Sequence, residues 1–213
     1  MSHRFPNSFP LFVLLAFVLS GCATLGALQD AGQPLDAYEI RPSFSGPEAS
    51  GRPLAGDLVV ETPVVSGALA TDRILIRPRP LEARYLPGAR WTDPAPEMVQ
   101  SVLVRGLAAT GGLRYVGRRP LGTSGDYALL TEMTDFQAEI PAPGAAPLAR
   151  VRLSARLVRE ADARIVAARV FEATALAGSD SAGDVVRALD AAMASLMPEL
   201  SAWLLGRLGQ GGA

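Results

Sequence analysis

The sequence predicts an α+β fold, with a mostly antiparallel sheet and two helices packed on one face as a two-layer sandwich. Three observations carry this. Short runs rich in β-branched residues occupy most of the chain after residue 57, and one of them alternates apolar and polar residues without interruption. Two longer runs repeat apolar residues at helical period. Turn residues separate the runs into the order β-β-β-α-β-β-β-β-α.

Tyr38–Ile40 reads as a short strand, followed by a loop rich in Gly, Pro and Ser. The folded part is expected to begin at DLVVETP, with strands at Leu58–Glu61, Arg73–Arg77 (RILIR) and Leu81–Tyr85 (LEARY). A helix follows. Asp93 suits the N-cap and Pro94 the first helical position. Met98, Val102, Leu103 and Leu107 supply the apolar stripe, and Gly111-Gly112 the stop. RYVGRR, YALLTEMTDFQAEI, ARVRLSARLV and RIVAARVFEATA then read as strands. In the third of these, Val151, Leu153, Ala155 and Leu157 lie on one face, with Arg150, Arg152, Ser154 and Arg156 on the other. READA is a polar turn, so the last two strands should form an antiparallel hairpin. Ser181-x-x-Asp184 starts the final helix in the manner of a capping box, and Val186, Leu189, Met193, Leu196, Leu200, Trp203 and Leu204 form its stripe. Pro198 lacks an amide donor and is expected to kink or divide that helix.

The amino terminus is a separate matter. Arg4 precedes an apolar stretch, Leu11–Leu19, that is too short to span a bilayer, which takes about 20 residues. A positive start, a short apolar core and small residues describe a secretory signal. Leu19-Ser20-Gly21-Cys22 resembles the bacterial lipobox, in which the thiol is diacylglycerylated and the chain is cut before the cysteine. Several acyl chains on one residue anchor stably, where one binds only marginally. Cys22 is therefore the expected lipid attachment point. Ala23, in place of the aspartate that holds many lipoproteins in the inner membrane, points by the same resemblance to the outer membrane. The expected organisation is a signal peptide over 1–21, lipidated Cys22 and a flexible tether over 22–56, one periplasmic domain over 57–207 and a disordered tail over 208–213.

Cleavage leaves about 190 residues, enough for one domain with a sizeable core. The whole chain has a formal net charge of −1, one unit more negative once Arg4 leaves, so no electrostatic footprint for nucleic acid is present. The single cysteine is Cys22 and the single histidine, His3, belongs to the leader. Lysine is absent from the whole sequence. These absences remove a Ser-His-Asp triad, an imidazole zinc site, a Schiff base and a P-loop. The composition argues for binding or positioning rather than catalysis, with no cofactor and no metal.

The lipobox, the run TDRILIRPRPLEARYLPGARWTDPAPEMVQSVLVRGLAATG, then YALLTEMTDFQAEI, and ARIVAARVFEATA ahead of the last helix resemble the ABC-type transport auxiliary lipoproteins, the PqiC/YmbA-like family. The similarity runs from about residue 36 to the end. Its markers are Asp72-Arg73, Tyr85, Arg90-Trp91, Phe136 and Phe171. The resemblance implies a periplasmic domain hung from a membrane. It would serve an ABC permease, its ATPase and an MCE-domain protein that move lipids between the inner and outer membranes, with phospholipid a further candidate partner.

Several residues are candidates for contact. Arg150, Arg152 and Arg156 either grip lipid phosphate in two-pronged fashion or keep an exposed strand face soluble; the loop pair Arg118-Arg119 poses the same choice. Met193, Met197, Leu200 and Trp203 either line an acyl-chain groove or are plain core. Trp91 is either a partner-facing anchor or a staple holding the first helix to the sheet. The acidic pairs Glu132/Asp135 and Asp93/Glu97 are the only residues that raise a hydrolase reading. The expected function is an outer-membrane-anchored auxiliary component of an MCE-type lipid transport system. A lipoprotein regulating a peptidoglycan enzyme or aiding outer-membrane assembly is the rival that the leader and tether fit equally well.

Overall fold

Two long antiparallel ladders form the body of the sheet in the structure, a computed structural model that describes residues 34–44, 54–122 and 124–210. Strands β1 (Asp36–Tyr38), β2 (Leu54–Val60), β3 (Val64–Val65), β4 (Arg73–Arg77) and β5 (Arg84–Trp91) precede helix α1 (Ala95–Ala109). Strands β6 (Leu113–Gly117), β7 (Tyr127–Glu139), β8 (Leu148–Arg159) and β9 (Arg164–Leu176) come next, and helix α2 (Ala182–Gln210) last. β8 pairs antiparallel with β7 on one side and β9 on the other, from Tyr127↔Arg159 to Glu139↔Leu148 and from Arg159↔Arg164 to Leu148↔Leu176. These ladders hold most of the paired residues among those described. The expected hairpin is present, turned by a 3-10 segment at Glu160–Asp162 with Ala163 in the left-handed region.

The other edge of β7 is assembled differently. β2, β3 and β4 lie end to end along it, all parallel to it, at Leu58↔Tyr127, Val64↔Glu132 and Ile76↔Ala138. One stretch of chain thus follows a 13-residue strand by leaving and rejoining it. β6 then extends the sheet beside β2, and β5 and β1 extend it beside β4.

The side-chain period decides which face is covered. Leu129, Met133 and Phe136 of β7, Val151, Leu153, Ala155 and Leu157 of β8, and Phe171 of β9 are all buried. Helix α2 lies across these strands, and its stripe from Val186 to Leu204 is buried as the period predicts. Helix α1 packs beside it against β2 and β6 and buries Met98, Val102, Leu103 and Leu107. A single core cluster runs from Ile40 to Leu208, and the residues from Asp36 onward form one compact unit.

Local caps follow the sequence in part. The Asp184 amide donates to Ser181 Oγ at 3.3 Å, while the Asp184 carboxylate accepts from the Ser179 hydroxyl and from Arg187. α2 runs through Pro198 as one helix, so the proline does not divide it. At α1, Pro94 rather than Asp93 occupies the cap position. The Ala95 amide bonds to Thr71 O at 3.0 Å, a tertiary anchor that starts the helix one residue later than the local pattern predicts.

Other boundaries also move. The strand expected at Leu81–Tyr85 begins only at Arg84: Leu81 sits in a turn with φ +66, and β5 continues to Trp91 through Pro87-Gly88. Gly88 has φ +68, and the β4–β5 register shifts along this stretch, which lets the ladder tolerate a proline. The chain joins the fold before residue 57. The short strand expected at Tyr38–Ile40 lies at Asp36–Tyr38, where β1 pairs with β5, and Ile40 just beyond it is fully buried. At the other end, α2 reaches Gln210 and buries Leu208, so residues 208–210 are helical rather than part of the expected disordered tail. Residues 1–33, with Cys22, lie outside the described residues.

Gly106 lets α1 approach Met197 and Phe44 closely. A Cβ there would meet Met197 Cε at 2.4 Å and the Phe44 ring at 3.0 Å. Gly106→Val is expected to cost about 1–3 kcal/mol through overpacking, seen as a lower urea midpoint with an unchanged slope.

Candidate functional site

The alternation that buries one face of β8 leaves Arg150, Arg152, Ser154 and Arg156 on the face the helices do not cover. Arg150 is already engaged. Its guanidinium donates to both Glu139 carboxylate oxygens, at 3.1 and 3.3 Å, and to Glu172 on β9. Hydrogen bonds to Glu139, then to Glu172, hold its pKa above the ordinary arginine value. Arg152 lies 3.6 Å from Glu172. Beneath them Gln137 is fully buried. Its amide donates to Asp135 at 2.8 Å and Glu139 at 3.1 Å, and its oxygen accepts from the Phe136 amide at 2.8 Å. Arg150 is therefore the hub of a cross-strand ionic ladder and has no free fork for a phosphate. Arg156 differs: it is exposed, opposite Leu130 and Ala168, and has no ion pair among the described residues. Glu132 and Asp135 sit on the same strand face in register with Ser154 and Arg152, and Asp135 is bonded to Thr134 and Gln137.

The aromatic and methionine candidates are placed elsewhere. Trp91 is 1% exposed, with its ring 5.6 Å from that of Phe136. Its amide donates to Asp72 O at 2.6 Å. It is the staple between β5, β7 and the entry to α1, and presents no surface to a partner. Met193, Met197 and Trp203 are buried under α2, and Trp203 meets Phe171 edge-on at 5.4 Å. They fill the helix–sheet interior rather than line a groove, because the alternating strands beneath α2 need those side chains to close the core.

Two features are not visible in the sequence. Asp57, buried, accepts from Arg114 Nε at 2.8 Å, and its amide donates to Asp126 at 2.9 Å. This network ties β2, β6 and the start of β7, and its members are 57 and 69 positions apart. The second is a recess of about 270 Å³ at the end of the sheet where β4 and β7 finish, lined by Arg77, Arg79, Pro80, Glu139, Ile140 and Pro141. The repeat Arg77-Pro78-Arg79-Pro80 is its only sequence signal. Among the described residues no cluster of His, Cys, Asp or Glu has metal-binding geometry, and no helix is long and apolar enough to cross a membrane.

Three carboxylates carry a pH dependence. Hydrogen bonds from Arg159 hold Asp162 down at about 2, against an ordinary 3.8. Asp57 is lowered first by its bond from Arg114, and Asp184 by bonds from Ser179 and then Arg187. A carboxylate with a lower pKa folded than unfolded takes up its proton first in the unfolded chain as pH falls. The contribution of Asp162 is complete above about pH 5 and is lost as pH falls from about 4 to about 2; those of Asp57 and Asp184 are lost as pH falls below the ordinary carboxylate range. Urea midpoints should hold between neutral pH and pH 5 and fall below it, and Asp162→Asn should shallow that fall.

Comparison with known proteins agrees with this architecture. A family model for the ABC-type transport auxiliary lipoprotein component matches residues 38–201. The crystal structure of XCC0632 from Xanthomonas campestris, of the DUF330 family, superposes with a TM-score of 0.74 at 27% identity. That match covers 83% of this chain and 98% of XCC0632. A second crystal structure, of an uncharacterized protein, shares the fold with a TM-score of 0.63 at 16% identity, over 81% of this chain and 99% of that one. Uncharacterized protein bll6063 of Bradyrhizobium diazoefficiens is 29% identical over 191 residues, covering 85% of this chain and 48% of bll6063. This chain therefore spans about half the length of that relative. With its family match spanning β1 to most of α2, this chain belongs to the ABC-type transport auxiliary lipoprotein component family, of PqiC/YmbA-like type.

Proposed function

We propose that this lipoprotein is anchored through Cys22 in the outer membrane, facing the periplasm, and serves an MCE-type lipid transport system as its docking component. Family membership associates it with an ABC transport system; the outer-membrane anchoring rests on Leu19-Ser20-Gly21-Cys22 followed by Ala23, and the MCE-type assignment on the family resemblance from about residue 36 onward. The role is one of contact rather than catalysis. The acyl group sets location, the tether sets reach, and the sheet and its loops supply the surface offered to the MCE-domain protein, permease and ATPase. The family match is the observation that carries the reading.

Affinity purification of the tagged protein from crosslinked envelopes tests it. Enrichment of MCE, permease or ATPase subunits over an unrelated outer-membrane lipoprotein is the expected result. Repeated recovery of peptidoglycan enzymes or outer-membrane assembly proteins, without any transport subunit, would overturn it.

A further inference from the structure

We propose that the turn following β4, together with the recess beside it, is a binding site for the phosphate headgroup of an anionic phospholipid at a membrane surface. Arg77 and Arg79 each precede a proline, which keeps both residues extended and restricts them before any ligand arrives. Both line the recess, whose remaining walls are Glu139 and the apolar Pro80, Ile140 and Pro141.

The charges around it are unbalanced. The Arg77 side chain has no hydrogen bond or ion pair among the described residues. Arg79 lies 3.8 Å from Glu82, which is also engaged by Arg84, so two guanidinium groups share one carboxylate. Glu139 is the only acid in the wall, and Arg150 neutralises it by contacting both of its oxygens. An anion entering the recess therefore meets surplus positive charge. Arginine forks match phosphate oxygens in geometry as well as in sign.

Leu81 supplies the second, independent observation. It is fully exposed and holds φ +66, a backbone region that an L-residue with a bulky side chain rarely adopts. A lone exposed leucine is ordinary. One held in a left-handed turn, directly after two arginines that border an apolar-walled recess, has the chemistry of a side chain that dips below the headgroups while its neighbours grip phosphate. A free phosphate would satisfy the arginines and leave Leu81 in water, so the lipid is the occupant that uses every feature.

The choice of a lipid rests on the transport reading, but the two fail separately. The site stands or falls on vesicles, and the transport reading on recovered subunits. The chain from Ala23 onward contains the whole core and lacks the anchor, so it can be floated with vesicles directly. It is expected to float with phosphatidylcholine vesicles containing one-quarter phosphatidylglycerol and to stay behind with phosphatidylcholine alone. Each arginine near an anionic surface strengthens binding about 5-fold, so Arg77→Gln/Arg79→Gln should weaken it about 30-fold. Arg118→Gln/Arg119→Gln, with the same loss of charge elsewhere, should weaken it far less. Leu81→Gly should also weaken flotation while raising Tm by about 2–4 °C, since glycine relieves the left-handed turn.

Equal loss in both double variants would reduce the effect to general charge and overturn the site. Flotation that ignores phosphatidylglycerol would do the same. So would complete displacement by millimolar inorganic phosphate at matched ionic strength, which would show a site for free anion instead of lipid.

Discussion

Trp91→Ala is expected to lower the stability of the domain by about 3–5 kcal/mol, the range for truncating a buried large aromatic. For a domain of this size that is a fall in Tm of about 10–15 °C. The magnitude follows from what converges there. The ring packs on Phe136 of β7 at 5.6 Å, and the Trp91 amide is bonded to Asp72 O at 2.6 Å. The next residue, Thr92, donates its amide to Tyr38 O at 2.9 Å, which ties in β1. Removing the indole opens a cavity at the junction of β1, β5, β7 and α1. Trp91→Phe should retain more than half of the stability that alanine loses. Chemical unfolding of the three proteins side by side measures this. A loss below about 1 kcal/mol for alanine would mean that the staple is not where the structure puts it.

Cys22→Ser is expected to abolish fatty-acid labelling and to remove the mature protein from the outer-membrane fraction, leaving uncleaved precursor or released domain. The effect should be complete rather than graded. Stable anchoring takes more than one acyl chain, and serine can carry none through a thioether. The Tm of the domain should stay unchanged, because the core among the described residues lies between Ile40 and Leu208. Metabolic labelling and fractionation read the first half, and thermal unfolding the second. An unlabelled wild-type protein would sink the lipoprotein assignment and, with it, the proposed location.

Elements defined by local pattern are legible in the amino-acid order. The alternation of Val151, Leu153, Ala155 and Leu157 places one face of β8 in the core, and all four are fully buried. The α2 stripe and the β8–β9 hairpin are equally plain, since each depends on a period or a turn within one stretch of chain. β3 is not legible, because a two-residue strand has no period; only pairing with Glu132 and Met133 makes Val64-Val65 a strand. The expected strand stops at Tyr85, yet β5 passes on through Pro87-Gly88 at a register shift.

The candidate residues divide along the same line. Chemistry alone marks Arg150 and Trp91 as able to bind something. Their neighbours decide otherwise: Glu139 and Glu172 occupy the first, and Phe136 covers the second. Conversely, nothing within RILIRPRP singles out Arg77; the end of β7 does so by bringing Ile140 and Pro141 beside it.

By itself, then, the amino-acid order determined the fold class, the family likeness, the expected acylation at Cys22 and the absence of lysine, all of which depend on residue identity or on spacing along the chain. The tertiary structure alone decided that three separated strands share one edge of β7, that the methionines and tryptophans close a core, and that free positive charge gathers at the far end of the sheet. Those outcomes depend on contacts between segments tens of residues apart, and local propensity does not encode which distant segment will supply the partner.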